Sequence, residues 1–218
     1  DPKITLNLLN KANMNWAYSE LFQNYTKAQI ESYISSSNKI SNEDGILIHY
    51  AETHDNSRLA TVSENYAKMR TGLCALLSCA GGFGFTNGVE WLATEKIDVH
   101  ESSALNWGSK NNLVSFIKRI NSILISNYAF YKGATTTFLS VDNEDVICFL
   151  KSSECNLHKV LVIINLNCEN HNCVTLDKLA KFSLKNSYDL LTEKKLSLNQ
   201  EKLELDPGEI LCISNNEN

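Results

Sequence analysis

The stretch HYAETHDNSRLA, residues 49–60, gathers two carboxylates (Glu52 and Asp55), an imidazole (His54) and a guanidinium (Arg58) in one short run. Side chains of these types can oppose developing positive charge, donate hydrogen bonds to hydroxyl groups, and keep neighbouring acids ionised. A second polar group, Asn87 and Glu90, follows the next apolar run in FGFTNGVEW. The same residues also admit a purely structural reading. Asp55 can cap a turn, His54 can bond a backbone carbonyl, and Arg58 can pair with Glu52 at the surface.

What must position them is legible from the flanking patterns. GILIHYAE is a continuous apolar run of the kind that forms a strand buried on both faces of a parallel sheet. That places the polar cluster at the strand's carboxyl end, where α/β barrels and open α/β sheets carry their ligand sites. Upstream, NLLNKANM and TKAQIESYI have helical character around the short stretch MNWAYSELF, with Thr26 as an N-cap. Downstream, ENYAKMRTGLCALLSCA repeats apolar residues at three and four positions, and Gly81 with Gly82 offers a stop. FGFTNGVEW is a short strand running into a loop, and NNLVSFIKRINSILISN is helical again. Residues 46–52 and 83–86 are therefore expected to be adjacent parallel strands. After about residue 133 the segments ATTTFLSV, DVICFLKS, KVLVIINLN, NCVTL, LELD and EILCIS are short, β-branched and separated by turn residues. They predict an antiparallel sheet or sandwich over 133–218, behind an α/β part over 1–132.

The chain has 218 residues, 43% hydrophobic and 21% charged, with a formal charge of -5, which suits a globular protein. Scattered Lys and Arg argue against nucleic acid or an anionic membrane surface as the main partner. No run reaches the roughly 18 apolar residues of a membrane span, and the N-terminus lacks the pattern of a secretory signal. Seven cysteines, with Cys74, Cys79, Cys148 and Cys212 inside apolar runs, read as reduced core residues in a cytoplasmic setting. The chain opens on Asp1 within a helical pattern, as a piece of something longer would.

HYAETHDNSR resembles the fourth signature region of the α-amylase superfamily, glycoside hydrolase family 13, in which the seventh barrel strand ends in a His-Asp pair followed by an Arg. MNWAYSELF resembles the sixth strand and FGFTNGVEW the eighth, while TEKIDVH is similar to the Glu-Lys-Tyr run of the maltosyltransferase branch. The fold so implied is the C-terminal portion of a (β/α)8 TIM barrel, about strands 6 to 8, followed by an antiparallel β-sandwich domain.

By that resemblance Asp55 is the catalytic carboxylate that stabilises oxocarbenium-like charge, and His54 donates to a hydroxyl of the same sugar. Arg58 supports the site, Lys96 contacts a donor sugar, and Glu90 belongs to the substrate-binding loop. The implied partner is an α-1,4-glucan or maltooligosaccharide, with no cofactor and no metal. Ile97 stands where the maltosyltransferase run has Tyr, and Thr53 where many members have Asn. Retaining cleavage or transfer also needs a nucleophilic Asp and a general-acid Glu roughly 5 Å apart. Neither region is present, and a full barrel takes about 250 residues. The remaining N-terminal part of the barrel is thus an implied partner, and the chain alone is expected to be inactive. The competing readings are a non-catalytic glucan-binding or subunit-like protein and a different α/β hydrolase or transferase in which the His-Asp pair is coincidental.

Other candidates have plainer readings. CENHNC brings Cys168, His171 and Cys173 together, but zinc sites usually add a second pair, and a turn between strands is expected. Asn24 in NYT matches a glycosylation acceptor by spacing alone. Trp16, Tyr18, Trp91 and Trp107 offer faces that could stack on sugar rings or fill a core. His49 and His100 are expected to be structural, and DPGEI to be a turn.

Overall fold

The structure, a computed structural model, describes residues 2–80, 82–101, 105–175, 179, 182, 187–196 and 201–215. Helix α1 (Pro2–Asn10) leads into strand β1 (Trp16–Tyr18), helix α2 (Lys27–Glu43) and strand β2 (Ile46–Ile48). β1 and β2 pair in parallel, Trp16 against Ile46 and Tyr18 against Ile48. His49 then bridges Phe83 in parallel, so the expected third neighbour is present as a single bridge.

The helices begin where their caps dictate. Thr26 and Gln29 form a reciprocal capping box at the start of α2. At α3 (Glu64–Leu76) the Ser63 hydroxyl accepts from the Tyr66 amide, and Glu64 lies favourably in the first turn. At α4 (Val114–Ser126) the Asn112 side chain accepts from the Val114 amide instead. α3 stops at Leu76, before the glycine pair; Gly81 itself lies outside the described residues. Gly72 in α3 is set by packing, because a Cβ there would fall 2.3 Å from Ile210 Cδ1 and 3.1 Å from the Phe116 ring.

Strands β3 (Thr135–Phe138), β4 (Val146–Ser152), β5 (Lys159–Asn165), β6 (Asn172–Thr175), β7 (Tyr188–Asp189), β8 (Lys194–Lys195), β9 (Lys202–Leu205) and β10 (Ile210–Ser214) are all antiparallel to their neighbours. Six make one sheet in the order β3-β4-β5-β10-β7-β8, and β6 with β9 makes a second. Both faces of the large sheet are covered. Ile147, Phe149, Val160, Val162, Ile164 and Cys212 join the core built on α2, α3 and α4. Their neighbours Val146, Cys148, Leu161, Ile163, Leu211 and Ile213 pack against Val174 and Leu205 of the small sheet. Strands buried on both faces need apolar residues at every position, hence the runs VICFL and VLVII.

The parallel arc is different. Ala17 and Leu47 are buried with Leu9 of α1, whereas Trp16 and Tyr18 are exposed and Ile46 and Ile48 only half-buried. The expectation of a strand buried on both faces thus holds for one face of β2. The other face lies open, with the alternate residues Tyr18, Ile48 and Tyr50 lining a cleft.

Candidate functional site

The cluster that opened the sequence divides into an interior pair and an exposed pair. Glu52 and Arg58 are buried, with Arg58 Nε 2.9 Å from Glu52 Oε1. The purely structural reading put that pairing at the surface, but the turn after β2 folds Arg58 inward. The Glu52 carboxylate also accepts from the Leu59 amide at 2.7 Å and from the Thr86 hydroxyl at 2.7 Å. Arg58 Nη2 donates to the Asn87 carbonyl at 2.8 Å. The pair therefore ties the turn after β2 to the segment that follows the Phe83 bridge. It is not saturated, since Arg58 Nε is not aimed along a hydrogen bond and Nη1 has no acceptor among the described residues. Gly88, at φ +96, sits directly on the guanidinium, where a Cβ would fall 2.6 Å from Nη2.

His54 and Asp55 point the other way, with side chains 57% and 84% exposed and Nε2 3.5 Å from Oδ1. Thr53 builds the turn that presents them. Its hydroxyl donates to Asn56 Oδ1 at 2.6 Å and accepts from the Asp55 amide at 3.2 Å. The pair lies on the rim of a cleft of about 550 Å³, whose walls include Tyr18, Phe22, Gln23, Tyr50 and Thr86. Sequence reasoning missed Phe22, Gln23, Tyr50 and Thr86. Tyr50 follows from the alternation Ile46, Ile48, Tyr50 on the open face, whereas Phe22 lies in a 3-10 turn, Leu21–Gln23, with no period to reveal it. Burial, with Tyr18 beside it, pushes the Tyr50 phenol up to about 12.

Glu90 and Lys96 are not brought into this cleft. Glu90 accepts from the Gly88 amide at 2.8 Å and lines a separate groove of about 450 Å³ with Phe85, Trp91 and Trp107. Trp91 and Trp107 contact each other there, centroids 5.4 Å apart. Lys96 is exposed on the following loop. Of the remaining candidates, His49 is buried, with Nδ1 2.6 Å from the Ser19 hydroxyl. Burial, with the Lys151 ammonium nearby, lowers its pKa to about 3. Cys173 sits in β6 and His171 faces Asp206 at 3.2 Å. Among the described residues no group of three or more His, Cys, Asp or Glu is placed to hold a metal ion. No helix among them is long and apolar enough to cross a membrane.

No family model matches the sequence, and no curated protein matches it. Solved structures do match the fold. A noncanonic maltogenic α-amylase, AmyB, from Thermotoga neapolitana superposes with a TM-score of 0.70 at 17% identity, over 94% of this chain and 51% of that one. A gamma-CGTase from alkalophilic Bacillus clarkii gives 0.72 at 16% identity, over 97% of this chain and 34% of that one. The chain shares its fold with part of each of these two structures. An isomaltulose synthase variant from Erwinia rhapontici, solved with D-glucose, gives 0.69 at 14% identity, over 96% and 53%. The chain spans about half the length of these α-amylase-type structures, or less.

Proposed function

We propose that this chain is part of an α-1,4-glucan-active glycoside hydrolase or glycosyltransferase of the α-amylase superfamily, with the division near residue 132 separating barrel from β-domain. The observation that carries this reading is the His54-Asp55 pair, presented by the Thr53 turn at the carboxyl end of a parallel strand and over a cleft. In it Asp55 opposes positive charge developing at the anomeric carbon, and His54 holds a hydroxyl of the same sugar. Arg58 acts at one remove, holding Glu52 and the loop at Asn87 in place. Lys96 and Glu90 belong to the outer part of the binding surface. The apolar setting of Cys74, Cys148 and Cys212 supports a reducing, cytoplasmic location.

The chain alone is inactive in this reading and works with the N-terminal part of a barrel. The cleft's described carboxylates are Glu52 and Asp55, and both oxygens of Glu52 are already engaged inside the fold. A retaining mechanism needs two further acids facing the same bond. The same observation favours, as a second reading, a glucan-binding protein without turnover. Assay of α-glucan cleavage and transfer by a protein joining this chain to the upstream barrel tests both. Turnover abolished by Asp55→Asn supports the first, and binding without turnover supports the second.

A further inference from the structure

A buried arginine that the site's chemistry does not use clamps the turn that carries Phe22 and Gln23 into the cleft lining. Arg70, in the middle of α3, is 1% exposed. Its Nη1 donates to the Asn24 carbonyl at 2.9 Å, and Nη2 to the Leu21 and Phe22 carbonyls at 3.2 and 3.4 Å. The guanidinium carbon lies 5.4 Å from the centre of the Tyr25 ring. Taking a guanidinium out of water is costly, and a fixed fork of donors returns that cost best where several carbonyls converge. The 3-10 turn after β1 and its capping residue Asn24 supply them, the Leu21 carbonyl also accepting from the Asn24 amide at 3.0 Å.

What the turn carries forward is Phe22. Its ring lies nearly parallel to that of Tyr50, 18° apart in plane with centroids at 5.4 Å. Tyr18 meets Tyr50 edge-on at 5.3 Å. Phe22, Gln23 and Tyr50 line the same cleft as His54 and Asp55. Flat aromatic faces suit the apolar C–H faces of sugar rings, and Gln23 adds a donor and an acceptor for hydroxyl groups.

We propose that Arg70 is the positioning residue for an aromatic wall of the cleft, Phe22 against Tyr50, that holds a glucosyl ring of the chain whose neighbouring ring lies at Asp55. This rests on the α-glucan reading above. Arg70 touches no substrate and acts only through the turn it clamps.

The test compares the full chain with its Arg70→Lys, Phe22→Ala and doubly substituted forms, by amide hydrogen exchange and by maltoheptaose titration. Arg70→Lys keeps the charge and loses the fork, so exchange at residues 21–25 should quicken by about tenfold while α4 is unchanged. Maltoheptaose affinity should fall by roughly fivefold in Arg70→Lys and in Phe22→Ala, and the double form should bind no more weakly than Phe22→Ala. Unchanged exchange in Arg70→Lys, or losses that add in the double form, overturns the positioning role. Normal binding by every variant overturns the wall and leaves the α-glucan reading standing. No binding by the unaltered chain, either alone or joined to the upstream barrel, contradicts that reading and the wall together.

Discussion

The Glu52 carboxylate and the Arg58 guanidinium lie 2.9 Å apart with both side chains almost wholly withdrawn from water, in the same stretch of chain as an exposed His54-Asp55 pair. One turn of chain thus separates groups held for structure from groups free to meet a ligand. Glu52→Gln leaves Arg58 charged and uncompensated in the interior and should destabilise the chain by about 3–5 kcal/mol. Asp55→Asn, at the surface, should change stability by no more than about 0.5 kcal/mol. Urea denaturation of both variants checks this, and equal losses would contradict the division.

Packing at Gly72 gives a second expectation. A methyl group there meets Ile210 Cδ1 at 2.3 Å, where α3 crosses the large sheet. Gly72→Ala should therefore cost about 1–3 kcal/mol despite its gain in helix propensity. Ile210→Val in the same chain should recover part of that loss. A stabilised Gly72→Ala variant would show that the two layers are free to separate.

The buried His49 imposes a pH dependence. Its pKa is lowered to about 3 by burial and by Lys151, against 6.5 for an exposed imidazole. Above pH 6.5 both folded and unfolded states hold it neutral, so its full stability is present. As the pH falls from 6.5 toward 3 only the unfolded state gains the proton, and stability declines by up to about 1.4 kcal/mol per pH unit. The window from pH 6.5 to 5 lies above ordinary carboxylate titration and isolates the effect. Urea midpoints should fall across it in the unaltered chain and stay level in His49→Gln. A flat profile in both would contradict the assignment.

The open arc predicts association. Among the described residues, β1 has a partner on one side only, and Trp16 and Tyr18 are 47% and 66% exposed on its open face. Unpaired strand edges beside exposed aromatic surface favour contact with another chain. Sedimentation at rising concentration should show self-association. A monodisperse monomer at high concentration would contradict this.

Much of the fold was legible because its signals are local and periodic. The Thr26 cap, the apolar spacing in α3 and α4, and the β-branched runs of β4, β5 and β10 each follow from patterns a few residues long. β7 and β8, two residues each, are too short to show alternation. Burial of the Glu52-Arg58 pair was not legible, because spacing within a turn does not reveal which side chains fold inward. Arg70 meets the turn that carries Phe22 through contacts between residues 46 to 49 positions apart in the chain, which no local pattern records.

The central claim is that Asp55 acts on charge that appears only during reaction. The direct measurement is kcat, alongside α-glucan affinity, for Asp55→Asn in the protein carrying the upstream barrel. The amide keeps the shape and loses the negative charge, so kcat should fall by about a hundredfold or more while glucan affinity changes little. Near-normal turnover in Asp55→Asn, or a loss confined to binding, would contradict the account.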